Sequence, residues 1–355
     1  MCANHKGTQK YKEKMREGGI THSNHFRVFE DLTLSSIGMG TYLGNLDSKT
    51  DYLIENAVIS SVNNGINVID TSINYRMQKS ERAIGKSLKT LEDNGFNRNQ
   101  IFISTKAGYI PGDADLGMDP QKFISDIVLA KNLASRVDIR GHNCMTPKYL
   151  GYMFEQSLAN LGLDHLDLLY LHNVAESHKS KVDDKEFYEM LENAFRFLEG
   201  KIRENKLLFY GMATWECFRV DPVSSYYLNL KKVYDTANKA AEKVGNKQSS
   251  FKFVMLPYNL AMPEAHNQKV QNGKSFLSKA QELGIGIFTA VPLLQGKLLN
   301  HPQLREMTKK FGVKTKAQAA LQFVRSYGEP IIAPLVGQKQ PEHVKENLEL
   351  VKIST

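Results

Sequence analysis

Four side chains of the kinds that hold or move charge stand at or just beyond the carboxyl ends of separate apolar runs: Asp70, Tyr75, Lys106 and His172. Such a set suits proton delivery to an oxygen that becomes an alkoxide, as happens when a carbonyl accepts hydride. A free phenol, with a pKa of about 10, is a reluctant acid near neutrality. An ammonium such as that of Lys106 beside Tyr75 is expected to favour the phenolate and lower that value, and the Asp70 carboxylate would keep the lysine charged and fixed. His172 is placed to hydrogen-bond and orient the carbonyl oxygen. No metal ligand set is read: in Arg140-Gly141-His142-Asn143-Cys144 the His and Cys lack a partner pair at ligand spacing.

To converge, these residues need strands that all end on one face. Short, nearly continuous apolar runs alternate with longer amphipathic segments, the pattern of buried parallel strands with covering helices. Strands are read at Leu34–Gly40, Asn67–Thr71, Ile101–Lys106, Asp167–His172, Leu208–Ala213, Lys252–Leu256, Gly284–Ala290 and Ile331–Val336. Thr50 is placed to cap a helix that Gly65 ends, Thr146-Pro147 opens another that stops at Gly162, and Pro341 starts a third. Eight strand-helix units without a linker or composition shift predict an α/β fold, a single (β/α)8 TIM barrel over residues 26–355, preceded by a flexible N-terminal arm, residues 1–25. An open doubly wound sheet is the alternative. Against it, Gly38-Met39-Gly40-Thr41-Tyr42-Leu43-Gly44 misplaces the third glycine of a dinucleotide fingerprint. The connection after the third strand, Ala107 to Met145, is unusually long, holds a short helix around Lys122–Ala134 and is expected to shape substrate access. A second insertion, Asp221 to Ser250, is expected to extend a covering helix and to border the cofactor.

Composition narrows the class. Hydrophobic residues make up 41% and charged residues 24% of 355, enough for a sizeable core. The formal net charge is +8, but the lysines are spread along the chain without interleaved aromatics, which argues against a nucleic-acid partner. No apolar run approaches the roughly 20 residues of a membrane span, and the first 25 residues lack a secretory core. The 3 cysteines, without a CxxC pair, suit a reducing cytoplasm.

Motifs extend the reading. Asp70-Thr71-Ser72-Ile73-Asn74-Tyr75, Ser80-Glu81-Arg82-Ala83-Ile84-Gly85, Ile103-Ser104-Thr105-Lys106, Asp167-Leu168-Leu169-Tyr170-Leu171-His172-Asn173, Gly284-Ile285-Gly286-Ile287 and Pro292-Leu293-Leu294-Gln295-Gly296-Lys297-Leu298 follow one another in order. Ala317-Gln318-Ala319-Ala320-Leu321 and the stretch from Gly337 to Asn347 complete the series, which closely resembles the aldo-keto reductase superfamily over nearly everything after residue 25. The resemblance implies the same barrel, a small-molecule carbonyl substrate and a catalytic tetrad of Asp70, Tyr75, Lys106 and His172 with Tyr75 as general acid. It also implies an NADP(H) site drawing on Gly40, Thr41, Thr214 and Met255, on Pro292, Leu293, Gly296 and Lys297 over the pyrophosphate, and on Gly337, Lys339, His343, Glu346 and Asn347 around the adenosine end. The family's polar contacts to the nicotinamide amide are replaced: Asn173 or Ala213-Thr214, Met255 and Ala290 stand in that neighbourhood, with Trp215 and Asn259 as candidate substitutes. Three functions remain open on these residues: an NADP-dependent carbonyl reductase, a subunit that holds the cofactor as a redox sensor with slow turnover, and a redox-neutral acid-base enzyme.

Overall fold

The computed structural model describes residues 1–355. An antiparallel hairpin, β1 (Phe26–Phe29) and β2 (Leu32–Ser35), precedes eight parallel strands: β3 (Gly38–Gly40), β4 (Val68–Asp70), β5 (Phe102–Ala107), β6 (Leu166–His172), β7 (Leu207–Ala213), β8 (Phe251–Pro257), β9 (Gly286–Ala290) and β10 (Ile331–Gly337). The eight close in the order β10-β3-β4-β5-β6-β7-β8-β9, a (β/α)8 barrel. Inside it, Phe102, Phe253 and Phe288 pack ring on ring, with centroids 5.6 to 6.1 Å apart. So tight is this interior that a Cβ on Gly211 would fall 2.0 Å from Phe253 O. The larger apolar layer lies outside the strands, under the ring of helices.

Strand positions follow the apolar runs closely except at the start. The run read as one strand, Leu34–Gly40, is cut at Ser36-Ile37, where Ser35 Oγ donates to Ile37 O at 2.8 Å and the chain turns from the hairpin into β3. The hairpin's turn residues, Glu30 and Asp31, both hold positive φ (46° and 63°), a geometry normally written in sequence as Asn-Gly or Asp-Gly, so no turn signal marked it. Residues 1–25 are not a solvated arm. Helix His5–Glu17 buries Thr8, Tyr11 and Met15, Tyr11 Oη donates to Val62 O at 2.6 Å, and Ala3 N donates to the buried carboxylate of Asp167 at 2.6 Å. Only two of those three inward residues are apolar, so the helix reads as polar until its partners are known. Among the covering helices, Ser48–Asn63 is capped by Asp47, whose side chain accepts from Thr50 N, rather than by Thr50 itself. Pro147–Leu161, capped by Thr146 and closed by Gly162 at φ 64°, and Pro341–Leu348 start and stop as their punctuation predicts. The connection after β5 holds a shorter helical piece than expected: Pro120–Phe123 runs into one widened turn, Ile124–Leu129. Helix Leu230–Val244 occupies the second insertion.

The hairpin is locked to the barrel by a polar chain with fixed direction. Arg325 Nη2 donates to Ser36 Oγ at 3.0 Å, Ser36 faces His25 Nδ1 at 3.1 Å, and His25 Nε2 faces Gly65 O at 2.9 Å. A carbonyl only accepts, so His25 carries its proton on Nε2 and takes the Ser36 proton on Nδ1. Burial, reinforced by the Arg325 charge, pushes His25 down to about 3. Because the folded value lies below that of the unfolded chain, this stability is complete above about pH 6.5 and is lost as pH falls toward the folded value, at about 1.4 kcal/mol per pH unit. Urea midpoints recorded between pH 7 and 5 should therefore fall in the parent and fall less in His25→Gln; equal slopes would reject His25 as a source of acid sensitivity.

Candidate active site

Parallel strands in a closed barrel end on one face, and the register places Asp70 beside Ser104, Lys106 beside Tyr170 and His172 beside Ala213. Lys106 Nζ lies 2.7 Å from Asp70 Oδ2 and 2.6 Å from Thr71 O, and Ser104 Oγ donates to Asp70 Oδ1 at 2.7 Å. Both charges are buried, Lys106 at 1% and Asp70 at 4% exposure. Burial pushes the carboxylate up and the ammonium down, and each charge opposes the other's shift.

Tyr75 is aimed by the turn that follows it. Arg76, Met77 and Gln78 occupy the left-handed region in succession (φ 51°, 48°, 74°), a strained run for residues with side chains. It is held from outside: Arg76 donates to Asn45 O at 2.7 Å and pairs with Asp51 at 2.6 Å, while Gln78 donates to Gly112 O at 3.0 Å and accepts from Asn160 at 3.0 Å. The result sets Lys106 Nζ 4.7 Å from the Tyr75 ring centroid, with the His172 ring edge-on at 6.0 Å and Tyr42 at 5.0 Å. The four expected residues thus meet, with two of the Lys106 hydrogen bonds spent on Asp70 and Thr71 and its ammonium 4.7 Å from the Tyr75 ring centroid. The expected lowering of the phenol's pKa is absent. Burial, then the Asp70 charge, raises it well above the ordinary value, so the phenol stays protonated near neutrality.

His172 is gripped on several sides. Its Nδ1 lies 3.3 Å from Ser72 Oγ, its carbonyl accepts from Asn143 Nδ2 at 2.8 Å, and the Tyr109 ring packs edge-on at 4.9 Å. Burial, aided by the Lys106 charge, pushes its pKa well below the ordinary value, so the ring is neutral at neutral pH. Reading the sequence missed Tyr42, Ser72, Tyr109 and Asn143 as members of the site. Ser72 sat inside the quoted motif, Tyr42 followed the glycine pair, and Tyr109 and Asn143 meet only because an isolated bridge closes the long connection after β5.

A cleft of about 430 Å³ runs from Asp70 and Tyr75 to the start of helix Pro341–Leu348. Eleven of the thirteen expected cofactor residues line it: Gly40, Thr41, Met255, Pro292, Leu293, Gly296, Gly337, Lys339, His343, Glu346 and Asn347. Two do not. Thr214 is buried behind the strand ends with its hydroxyl donated to Met255 O at 3.2 Å, and Lys297 is exposed beyond Gly296. One wall is a strained loop with Val291, Leu294 and Gln295 at φ 45°, 46° and 55°. Asn259 Nδ2 donates to Val291 O at 3.0 Å, so Asn259 holds this loop and is not a substitute ligand for a nicotinamide amide. Trp215 is 43% exposed, outside the lining. The second insertion contributes nothing to the cleft: its helix packs on the outer helix Asp184–Arg203, where Lys239 pairs with Glu192 at 2.7 Å. A separate groove of about 460 Å³, between helices Ser48–Asn63 and Pro341–Leu348, shares Lys339 and holds none of the tetrad. Of the His-Cys stretch, His142 faces Gln121 and Cys144 is buried beside Thr146.

At the far end Asn347 donates to Gln338 Oε1 at 3.0 Å, and Gln338 donates to Ser61 Oγ at 2.8 Å. Asn347 Oδ1 is buried with no protein donor. An orphaned amide oxygen in a cleft accepts from a ligand N–H.

The sequence profile of the Aldo/keto reductase family matches residues 36–355. The chain belongs to that family. Among relatives, the uncharacterized oxidoreductase YtbE of Bacillus subtilis (strain 168) is 24% identical over 293 residues, 82% of this chain and 76% of that protein. The NADH-specific methylglyoxal reductase of Escherichia coli (strain K12) is 27% identical over 150 residues, 40% of this chain and 39% of its own. An aldo/keto reductase from Klebsiella pneumoniae, crystallised with NADP and acetate, shares the fold at a TM-score of 0.62 and 18% identity, over 94% of this chain and 92% of its own. Aldo/keto reductase membership thus joins the barrel and its charged mouth to an oxidoreductase family. No helix is long and apolar enough to cross a membrane.

Proposed function

We propose that this chain reduces an aldehyde or ketone to an alcohol, with hydride from NADPH and the proton from Tyr75. The observation that carries the reading is a protonated phenol at the inner end of a long cleft, flanked by a buried ammonium and a neutral imidazole. A reduced nicotinamide supplies the hydride when bound. The chain's residues fit a dinucleotide: the orphaned Asn347 Oδ1 suits an adenine amine, Lys339 and His343 at the opening suit phosphate, and Pro292, Leu293 and Gly296 form a wall between the two ends. Tyr75 donates to the developing alkoxide, and Lys106, paired with Asp70, holds its ammonium beside the phenol ring. His172 hydrogen-bonds the carbonyl oxygen and orients it. The Lys339 cation at the opening favours NADPH. Neighbouring structures were solved with NADP or NADPH, whereas the Escherichia coli relative is NADH-specific.

A second reading keeps the cofactor but not rapid turnover: Met255 and Ala290 give the inner cleft apolar walls without amide-binding groups. Titrating NADPH and NADH against the fluorescence of Trp215, the single tryptophan, separates the readings. Lys339→Ala should weaken NADPH about tenfold, worth ~1.4 kcal/mol, and leave NADH unchanged. Tight binding with negligible turnover on every carbonyl would favour the sensor, and no binding of either nucleotide at millimolar concentration would leave the redox-neutral reading.

A further inference from the structure

The ladder of β5 on β6 closes at Ala107–Leu171, so the carbonyl of His172 lies one residue beyond its last rung. A side chain from the long connection after β5 serves that carbonyl instead. Asn143 is fully buried and donates through Nδ2 to His172 O at 2.8 Å. Gly108 leaves the room for this contact: a Cβ there would stand 3.1 Å from His172 O and 3.3 Å from Asn143 Nδ2. A carbonyl only accepts, so the amide oxygen of Asn143 faces the other way, where His178 Nε2 lies at 3.1 Å. The reversed amide would set oxygen against oxygen at His172. Asn143 Oδ1 in turn only accepts, which puts the His178 proton on Nε2 and leaves Nδ1 bare, buried and without a protein donor. Burial, reinforced by the Arg140 and Lys181 charges, pushes His178 down to about 4, so this ring is neutral near pH 7.

The backbone around Asn143 is itself fixed. Asn143 N donates to Arg140 O at 3.0 Å and Arg140 N to Asn143 O at 2.9 Å, while Ile110 N donates to His142 O at 2.7 Å and Cys144 N to Gly108 O at 2.9 Å. The returning end of the connection is thereby laced to Gly108–Ile110, the segment whose Tyr109 ring packs on His172. His178 arrives from the opposite side: β6 gives way at Asn173 (φ 49°) to the short helix Val174–His178, so the amide is gripped by two residues of one turn, 172 and 178. We infer that Asn143 and His178 are positioning residues for the reduction, Asn143 holding the main chain from which the His172 imidazole projects and His178 fixing the direction of that amide. The inference rests on the reductase reading for its effect on rate only. It gives the long connection a part beyond substrate access, since that segment returns to the mouth carrying the residue that aims the histidine.

The test pairs turnover with the ¹³C resonance of the His172 carbonyl, in the full chain labelled at the histidine carbonyl carbon and assigned by its loss in His172→Gln. Asn143→Ala should move that resonance toward a carbonyl without a donor. It should also lower kcat for carbonyl reduction at least about tenfold, within the roughly 100-fold that a 1 Å misplacement can cost, with KM for the nucleotide unchanged. His178→Leu, which removes the donor to the amide, should move the resonance the same way and lower kcat. His178→Gln, whose Nε2–H can take the place of the ring's, should restore both. The Asn143→Ala, His178→Leu double variant should be no slower than Asn143→Ala alone, because both changes act through one amide. An unmoved resonance or parental kcat in Asn143→Ala, a His178→Gln no better than His178→Leu, or losses that multiply in the double variant would overturn the inference. Should Asn143→Ala fail to fold, the contrast between the two His178 variants decides alone. A pair that only braces the fold would lower the urea midpoint and leave kcat in the native range unchanged, which is also a refutation. The resonance is read without turnover, so shifts as stated in a chain that reduces no carbonyl would sink the reductase reading and leave the clamp standing.

Discussion

Tyr75→Phe should lower aldehyde-dependent NADPH oxidation by at least about 100-fold while NADPH binding stays within about twofold of the parent, because general acid catalysis commonly contributes about 10²–10⁴. The substitution removes one oxygen from a side chain whose ring contacts, to Lys106, His172 and Tyr42, all remain. The phenol oxygen makes no hydrogen bond within the protein, so no buried partner is orphaned and the fold has little reason to respond. Its raised pKa sharpens the expectation: with the phenol protonated near neutrality, the rate of reduction should be flat across pH 6 to 8, and any fall on the alkaline side belongs above the ordinary tyrosine value. Equal turnover in mutant and parent, measured by nucleotide absorbance under saturating cofactor, would remove Tyr75 from the reaction. A simultaneous collapse of nucleotide binding would instead assign it a structural part in the cleft.

Lys106→Met should be the most destabilising single change in the site, at about 3–5 kcal/mol, since it strands a buried carboxylate whose counter-ion lay at 2.7 Å. Ser104 still donates to Asp70 Oδ1, but one neutral hydrogen bond does not offset an uncompensated buried charge. The sign with pH follows. Without the lysine, Asp70 is raised further in the folded state, so the deficit is absent below the unfolded carboxylate range, grows as pH rises through it and is complete only above the raised folded value. Adding Asp70→Asn should recover part of the lost stability, because an amide can keep the Ser104 contact without a charge. Urea midpoints of the parent, the two single variants and the double variant measure this coupling. A Lys106→Met variant within about 0.5 kcal/mol of the parent would show that the pair is not held as charges. Activity should be lost in all three variants, which is why the stability cycle carries the test.

Much of this protein was legible before its fold was known. Each barrel strand is buried on both faces and so writes a continuous apolar run. The chemistry sits at the ends of those runs, and Asp70, Lys106 and His172 could be picked out because titratable residues stand at or next to the last position of largely apolar segments. Glycine and proline punctuation, at Thr146-Pro147 and Gly162 for example, is likewise a property of a few adjacent residues. What the chain could not state alone concerns partners distant in sequence. Helix His5–Glu17 looks like a polar arm because its inward face includes Thr8, whose hydroxyl donates within the helix start to Asn4 O but also accepts from the distant hairpin residue Thr33 N. Lys106 promised to acidify Tyr75; in the closed barrel its ammonium is engaged by Asp70 and Thr71, and burial and the Asp70 charge raise the phenol. Thr214, whose hydroxyl is spent on Met255 O, and the exposed Lys297 stand outside the cleft lining, a placement that motifs do not encode. Residue type and spacing are local, whereas the sign of a pKa shift and the direction of a hydrogen bond belong to pairs, and those pairs exist only once the barrel has closed.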